Sequence, residues 1–528
     1  SLTQNHDADN SSNSHNLKLG MDWYLNPKTT VSVNGVYSNR FRGGGGLSRF
    51  EYFDQEGVIE SLEFQDEIDR NESNSWNANL RFEKQFSSRE HNLFFDSRYS
   101  QNERFDREIN YFRDAHLDGS AGSATDIIRV LTENQDRSTT VLEAGYAHPH
   151  MVDVGGKKQE KWKIETGLKA ILKATETDFV SASTDTLTST IINEEGTSNV
   201  FKLTENILSA YGTYRQRWGV WGAQLGLRAE AALTNPELLT TGEVFDNDYF
   251  SLFPTVHLSR KLDKEQELQL SYSRRINRAQ HWALNPFIDR SNPLDIRIGN
   301  PDLQPEFVHK VEVGFVKTWE VGHTFSSSVY FTHTDDLITS FRTVNTEGIT
   351  ETTYQNFSWR RRVGLELISS LQFTDWWRGV ISADIRRASV DASNIEVGLT
   401  NSNFEYALKA NTNITMPWDM MMQISSNYRG PRVGPQGTFK GYITLNVSVR
   451  KDLWNKKASI TLRASDLFDQ RRFGMITDIP GLYQDSEFKR ESRIGWLSFS
   501  YKFGKQQFDR KRSGRSGGGF EEDGGEEM

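Results

Sequence analysis

The chain has 528 residues, a formal net charge of −9, no cysteine, 25% charged residues and 12% aromatic residues. Zero cysteines exclude a disulfide scaffold and a thiolate metal centre, and an acidic balance with no basic stripe excludes general nucleic-acid binding. No stretch approaches the roughly 20 apolar residues of a membrane helix. Length alone, at about 150 residues per domain, would give about three globular units, yet no interior linker rich in Pro, Gly or Ser separates independent cores.

Period-2 alternation starts near the N-terminus. Leu17, Leu19, Met21, Trp23 and Leu25 share one face, Lys18, Gly20, Asp22 and Tyr24 the other, and Asn26-Pro27 predicts a tight turn. The return segment sets Val31, Val33 and Tyr37 against Ser32, Asn34 and Ser38. Gly43 to Gly46 do not follow a strand and open a helix as a phosphate cradle would, so they read as a flexible outer loop. Trp76, Ala78, Leu80 and Phe82 alternate with Asn77, Asn79, Arg81 and Glu83; past a turn near Ser87 to His91, Leu93, Phe95 and Tyr99 alternate with Asp96 and Arg98.

Further along, His148-Pro149-His150 offers two imidazoles but lacks the other ligands of a zinc site, and an exposed turn is expected. Asp246, Asn247 and Asp248 carry oxygen ligands without the glycine and distal glutamate of an EF-hand, so calcium is not expected. Phe250, Leu252, Val256 and Leu258 form the next stripe, answered by Leu268, Leu270 and Tyr272. Phe404, Tyr406, Leu408, Ala410, Ile414 and Met416 form the longest, and the final segment ends on Leu497, Phe499, Tyr501 and Phe503.

Connections near Asn26, Ser88, Gly219, Asp263, Glu320, Asp375, Pro417 and Asn455 are short, whereas those around 40–72, 104–136, 179–198, 279–306 and 469–490 are long and polar. That alternation, with strands that show one greasy and one polar face, is the pattern of an outer-membrane barrel with short periplasmic turns and long external loops. Every backbone polar group in such a structure pairs with a neighbouring strand. Trp23, Trp162, Trp218, Trp221, Trp319, Trp376, Trp377, Trp418 and Trp454 sit at or beside the short connections, where an amphipathic indole belongs at a lipid–water boundary.

The alternation predicts about 19 strands. Ser1 to Ser14 reads as the remainder of an outer loop, so the first and last strands both descend and the count is odd. Bacterial single-chain barrels are even and antiparallel, so an odd number of strands is expected upstream, and three more would give about 22. The chain opens at Ser1 without an initiator Met or secretory leader and reads as processed or truncated. After Phe503, Lys505, Arg510, Lys511, Arg512 and Arg515 give way to Gly517 to Gly519 and then to Glu521, Glu522, Asp523, Glu526 and Glu527. Such a segment cannot bury a core and predicts a disordered periplasmic tail over 504–528.

Two groups of chemistry-bearing residues fall near outer strand ends. His333, Asp335 and Asp336 are where a rim hydrolase would be sought, and a hydrated rim is the favoured reading. Arg274, Arg275, Arg278 and Arg360 to Arg362 read as solvated loop charge, with lipopolysaccharide or an acidic ligand as the functional alternative.

Several stretches resemble the barrel of TonB-dependent receptors and the outer-membrane β-barrel family close to them. The clearest is Gly299-Asn300-Pro301-Asp302-Leu303-Gln304-Pro305-Glu306, similar to that family's GNPxLxPE motif ahead of a strand. Leu270 to Arg278, Leu284-Asn285-Pro286-Phe287, Tyr249 to Pro254, Gly226 to Glu230, Val363-Gly364-Leu365-Glu366 and Leu462 to Asp469 match in order, covering most of 200–503. The motif itself needs only a structural role, because two prolines fix φ and Asn and Gly favour turns. The resemblance implies a periplasmic plug and a TonB-contacting segment ahead of the barrel, and import of large nutrients; neither plug nor TonB box is visible here.

The expected fold is all-β: a transmembrane antiparallel β-barrel of the large, about 22-stranded outer-membrane type, lacking its N-terminal strands and plug. Residues 1–503 are expected to form it, with about 19 strands present. The expected function is uptake of an unidentified nutrient in the cell outer membrane; the alternative is a non-transporting structural or accessory barrel in a surface complex. Neither catalysis, cofactor nor metal is expected, and ligand-binding residues are not assigned. Expected partners are outer-membrane lipid and lipopolysaccharide, a TonB system reached through the plug region by resemblance, and a surface lipoprotein, with no nucleic acid.

Overall fold

The structure is a computed structural model that describes residues 2–503 apart from 55, 116–126, 187, 193–197, 264, 290–294, 320–321 and 347–348. The tail expected over 504–528 lies outside the described residues.

Among the described residues nineteen strands follow one another in the main sheet: β1 (Leu2–Asn26), β2 (Thr29–Phe53), β3 (Ile59–Gln85), β4 (Asn92–Ala115), β5 (Ile127–Val154) and β6 (Lys157–Asp185). Then come β7 (Asn199–Trp218), β8 (Trp221–Leu238), β9 (Tyr249–Leu262), β10 (Gln266–Asn277), β11 (Glu306–Thr318), β12 (Thr324–Val344) and β13 (Thr350–Gln372). The set finishes with β14 (Trp377–Asp391), β15 (Thr400–Met416), β16 (Met420–Arg429), β17 (Tyr442–Leu453), β18 (Ala458–Ser465) and β19 (Ile494–Tyr501). Each pairs antiparallel with the next in a single meander. Among the described residues β1 pairs only with β2 and β19 only with β18, so these two form the edges. They run in the same direction, as the odd count requires.

The apolar stripes face outward. Leu225, Leu227 and Leu233 on β8, Leu268 and Leu270 on β10, and Phe404, Tyr406 and Leu408 on β15 are all exposed. Among the described residues, two small clusters of buried apolar side chains form, both near the outer strand ends. A soluble sandwich would instead hide its stripes in a dry interior. Trp23, Trp218, Trp221, Trp319, Trp376, Trp377, Trp418 and Trp454 are exposed beside the short turns as a girdle requires, while Trp162, expected with them, is half-buried. Turn chemistry fits tight hairpins: Gly155 and Gly156 have φ of 62° and 78°, and Trp418 and Asp419 have 62° and 54°, as a type I′ turn needs.

The outer halves differ from expectation. Within the polar stretches around 40–72 and 104–136, residues 40–53, 59–72, 104–115 and 127–136 are continuations of β2 to β5 rather than loops, and β1 already begins at Leu2, within the segment expected to be loop remnant. Strands of 25 to 29 residues far exceed the ~9–11 that cross a bilayer. Past the lipid, a strand no longer needs an apolar face, and cross-strand polar pairs hold it, such as Gln65 Nε2 donating to Asn110 Oδ1 at 2.7 Å. The tetraglycine lies inside β2, between β1 and β3, not in a loop. A Cβ on Gly44 would stand 2.3 Å from the Asp9 carbonyl oxygen, so glycine is what lets β1 approach. His148-Pro149-His150 is likewise strand, in β5 opposite Ile164, Lys163 and Trp162, and not a turn. The 469–490 connection is a hairpin, Arg472–Ile479 with Leu482–Lys489, that joins Arg432–Gly434 and Gly437–Phe439 in a separate four-stranded sheet.

Candidate functional site

The inward face of the wall is built from fixed polar groups. Tyr330 Oη donates to Asp384 Oδ2 at 3.1 Å, Arg386 Nη1 lies 3.5 Å from Asp384 Oδ1, and Arg386 Nε donates to the buried Glu405 at 2.7 Å. Gly364 makes room for this arrangement, since a Cβ there would fall 2.5 Å from the Tyr330 hydroxyl. Tyr211 repeats the device across Gly167, where a Cβ would fall 2.5 Å from its hydroxyl, and donates to Glu143 at 3.1 Å. An aromatic ring laid across a strand glycine restores the packing that the missing side chain forfeits.

The mouth is occupied by the connection between β10 and β11. It carries a one-turn helix (His281–Leu284) and two short strands (Ile288–Asp289 and Asp295–Ile298), the second of which pairs in parallel with β13. Ala283, Leu284 and Leu303 pack against Phe201, Leu203 and Leu238 of β7 and β8, with Ile338 and Tyr354 of β12 and β13 against the same cluster. The segment therefore reaches across the inner wall. Polar contacts fix its course: Asn199 Nδ2 donates to Asn285 Oδ1 at 2.9 Å, Asn247 Nδ2 to the Leu303 carbonyl at 2.7 Å, and Asn300 Nδ2 to the Tyr354 carbonyl at 3.0 Å. Gln304 and Asn356 exchange two bonds of 2.8 Å. His281 Nε2 sits 2.8 Å from Gln135 Nε2, and burial together with Arg137 and Arg104 pushes its imidazole down to about 4.

This contact set gives the Gly299–Glu306 motif a structural role. A Cβ on Gly299 would lie 2.1 Å from the Asn285 carbonyl oxygen, and Glu306 accepts from the Ile338 amide at 2.7 Å and from Asn277 Nδ2 at 2.9 Å. Asn247, weighed above as a calcium ligand, anchors Leu303, while its neighbour Asp248 accepts from the Thr234 amide at 3.1 Å. Asp466 belongs to the Leu462–Asp469 stretch that carried the resemblance. Nearly fully buried, it accepts from Ser492 Oγ at 2.6 Å and from the Arg471 amide at 3.0 Å, pinning the base of the last outer hairpin.

Between β16 and β19 the inward wall holds a polar cavity of about 640 Å³ lined by Gln423, Asn446, Thr461, Arg463 and Trp496 among others. An adjoining one of about 350 Å³ adds Tyr442, Asp466 and Glu491. These recesses supply hydrogen-bond donors and acceptors beside an aromatic plane.

The basic rim residues are held in the wall. Arg274 Nη1 donates to the Leu252 carbonyl at 2.8 Å and its guanidinium lies 4.3 Å over Phe307. Arg278 pairs with Glu230 and the Tyr249 hydroxyl, Arg361 lies 4.1 Å over Trp359, and Arg360 and Arg362 also have partners. Arg275 is exposed. His333 Nε2 is 2.8 Å from Asp335 Oδ1, and Arg361 Nε is 3.3 Å from His333 Nδ1. Burial and Asp335 hold the Asp336 carboxyl above its usual range. Both imidazole nitrogens of His333 therefore face partners within the rim, Asp335 on one side and Arg361 on the other.

Outside the membrane, Glu67, Asp69 and Glu108 bring carboxylate oxygens within 4.8 Å of one another and form the one group among the described residues with the composition to hold a cation through three carboxylates. Burial and then Asp69 push Glu67 up to about 8, and burial raises Glu108, so a bound proton already relieves the repulsion.

The sequence profile of the outer membrane protein beta-barrel family matches residues 84–501. No curated protein matches the chain. Among solved structures it is similar to the ferric-catecholate import receptor Fiu from E. coli K12, at 11% identity and a TM-score of 0.56, covering 94% of this chain and 81% of that one. It is similar to the copper transporter OprC at 13% identity and a TM-score of 0.58, covering 95% and 83%. The ferripyoverdine receptor of the outer membrane of Pseudomonas aeruginosa gives 11% identity and a TM-score of 0.53, covering 94% and 70%. Likeness at such identities is likeness of fold, here the large transmembrane barrel of TonB-dependent receptors. With a greasy outer face, a polar wall within and a profile match over most of its length, the chain belongs to the outer membrane protein beta-barrel family and resides in the outer membrane.

Proposed function

We propose that this barrel is the wall of a TonB-dependent-receptor-like transporter that takes up an unidentified nutrient. The observation that carries the reading is the β10–β11 segment, which is folded onto the inner wall by its own apolar cluster and polar anchors instead of waving free above the rim. A docked segment narrows the mouth, and polar recesses line the wall between β16 and β19, features suited to a vestibule that holds a hydrated solute. The structural neighbours are receptors and a transporter by name, which supports a non-catalytic role. The energy source is a TonB partner in the inner membrane acting through a plug region. Basic side chains on the outer face, such as Arg274 and Arg361, are suited to anionic lipid headgroups of the outer leaflet.

The test is growth of a deletion strain on panels of single iron, vitamin, peptide and glycan sources. The reading expects loss of growth on at least one source, restored by the wild-type gene and abolished by a proton uncoupler. Unimpaired growth on every source, or uptake indifferent to the uncoupler, would overturn it.

A further inference from the structure

The periplasmic lip carries a cluster that transport does not use. His91 closes the turn between β3 and β4, and Asn92 pairs with Ala147, so His91 stands directly opposite His148 on β5. His91 Nε2 and His148 Nδ1 are 3.3 Å apart. The Tyr146 hydroxyl lies 2.9 Å from the first and 3.3 Å from the second. Three donor atoms from two neighbouring segments thus make a nearly equilateral triangle.

The size of that triangle is informative. Two nitrogens bound at about 2.0–2.1 Å to one tetrahedral ion are separated by about 3.3 Å, the spacing seen between His91 and His148. The centre of the triangle lies roughly 1.8 Å from each corner, so an ion with bonds of about 2.1 Å sits about 1 Å above its plane and keeps a fourth position for water. The imidazole of His91 is already turned toward the other two donors. Its Nδ1 is 2.9 Å from Ser87 Oγ, and a bond from Nδ1–H to that oxygen leaves the Nε2 lone pair aimed into the triangle. Trp162 walls the group, packing 5.7 Å from the His148 ring and stacking 5.1 Å from His150.

We propose that His91, His148 and Tyr146 form a periplasm-facing site for one divalent first-row transition cation of borderline softness, Zn²⁺ or Cu²⁺. Mixed imidazole and phenol donors select these ions over Mg²⁺ and Ca²⁺, which take all-oxygen sites. When the phenol oxygen coordinates, its proton leaves to solvent, and no other bond changes. The bound ion ties the β3–β4 turn to the β5–β6 hairpin that projects beyond it. The sequence offered only the His148-Pro149-His150 pair; the missing donor comes from His91, 57 residues away.

Equilibrium dialysis of the full chain in detergent against ZnCl₂, without a histidine tag and with metal counted by mass spectrometry, tests this. One zinc per chain is expected, and His91→Ala and His148→Ala are each expected to weaken binding at least 30-fold. Tyr146→Phe should weaken it about tenfold, while His150→Ala stays within twofold. With Cu²⁺, electron paramagnetic resonance should show hyperfine coupling to two imidazole nitrogens. Heat-modifiable mobility monitors folding of every variant. Should His91→Ala fail to assemble, Ser87→Ala, which removes only the orienting bond, is expected to weaken zinc fivefold or more. Wild-type stoichiometry below 0.2, equal affinity in wild type and His91→Ala, or unchanged affinity in Ser87→Ala would each overturn the assignment. A loss in His150→Ala as large as in His148→Ala would do so as well.

Discussion

Replacing Leu303 by alanine tests whether the segment across the mouth docks as one unit. Leu303 is 2% exposed and packs with Phe201, Leu203, Leu238, Ala283 and Leu284. Cutting a leucine so enclosed back to alanine costs about 2–5 kcal/mol. The ladders of β7, β8, β12 and β13 do not depend on the segment, so the loss falls on docking and not on the barrel. At about 1.4 kcal/mol per tenfold, a loss of about 3 kcal/mol raises the undocked population about 100-fold. Arg297 reports the change. Its side chain is 61% exposed, but its backbone is held in the Asp295–Ile298 strand beside β13. Where opening and closing are fast relative to cleavage, trypsin cutting after Arg297 should accelerate by up to about 100-fold. Heat-modifiable mobility should stay unchanged. Val397→Ala, at a residue 98% exposed, is the control and should do nothing. A Leu303→Ala protein with an intact barrel and the wild-type cleavage rate would refute the docking argument.

Leu270→Arg, on the outward face of β10, should destabilise the folded barrel by about 2–4 kcal/mol in reversible urea unfolding in lipid, while Gln269→Arg on the wet face should cost less than about 1 kcal/mol. Glu405→Gln removes the nearer of Arg386's two charge partners, leaving Asp384 at 3.5 Å, and should cost about 2 kcal/mol in the same assay, whereas Lys409→Gln should be neutral. Glu67 has a folded value near 8, above its unfolded one, so the native state holds more protons between about pH 4.5 and 8 and the outer ends of β3 and β4 lose stability as pH rises through that window. Glu67→Gln should therefore protect the outer ends of β3 and β4 against hydrogen exchange at pH 8 to 9 and make no difference near pH 4; equal protection at both pH values would contradict the cluster's strain.

The membrane-spanning halves were legible because lipid on one side and water on the other impose a period of two on each strand, and a one-residue slip would turn every side chain to the wrong face. Leu225, Leu227 and Leu233 announce their orientation by composition alone, and the tryptophans beside short turns give the boundary. Beyond the lipid that demand lapses. Residues 40–72 read as loop because Gly43 to Gly46 and their polar neighbours carry no alternation, yet hydrogen bonds such as Gln65 to Asn110 hold them in register. The Gly299–Glu306 motif was visible, but its anchors Asn247, Tyr354 and Asn356 come from other connections and strands, so its place across the mouth was not. His91 and His148 illustrate the same limit. Each looks ordinary until the register of β4 and β5 sets them face to face.

The central claim is that one face of each strand meets lipid and the other meets water, and the absence of native cysteine allows it to be read directly. Single cysteines placed in turn from Asn403 to Thr412 along β15, spin-labelled in reconstituted bilayers, should show oxygen accessibility peaking at Phe404, Tyr406, Leu408 and Ala410. Accessibility to a polar nickel relaxant should peak at the residues between them. Oxygen and nickel profiles that rise and fall together, with no period of two, would contradict the account.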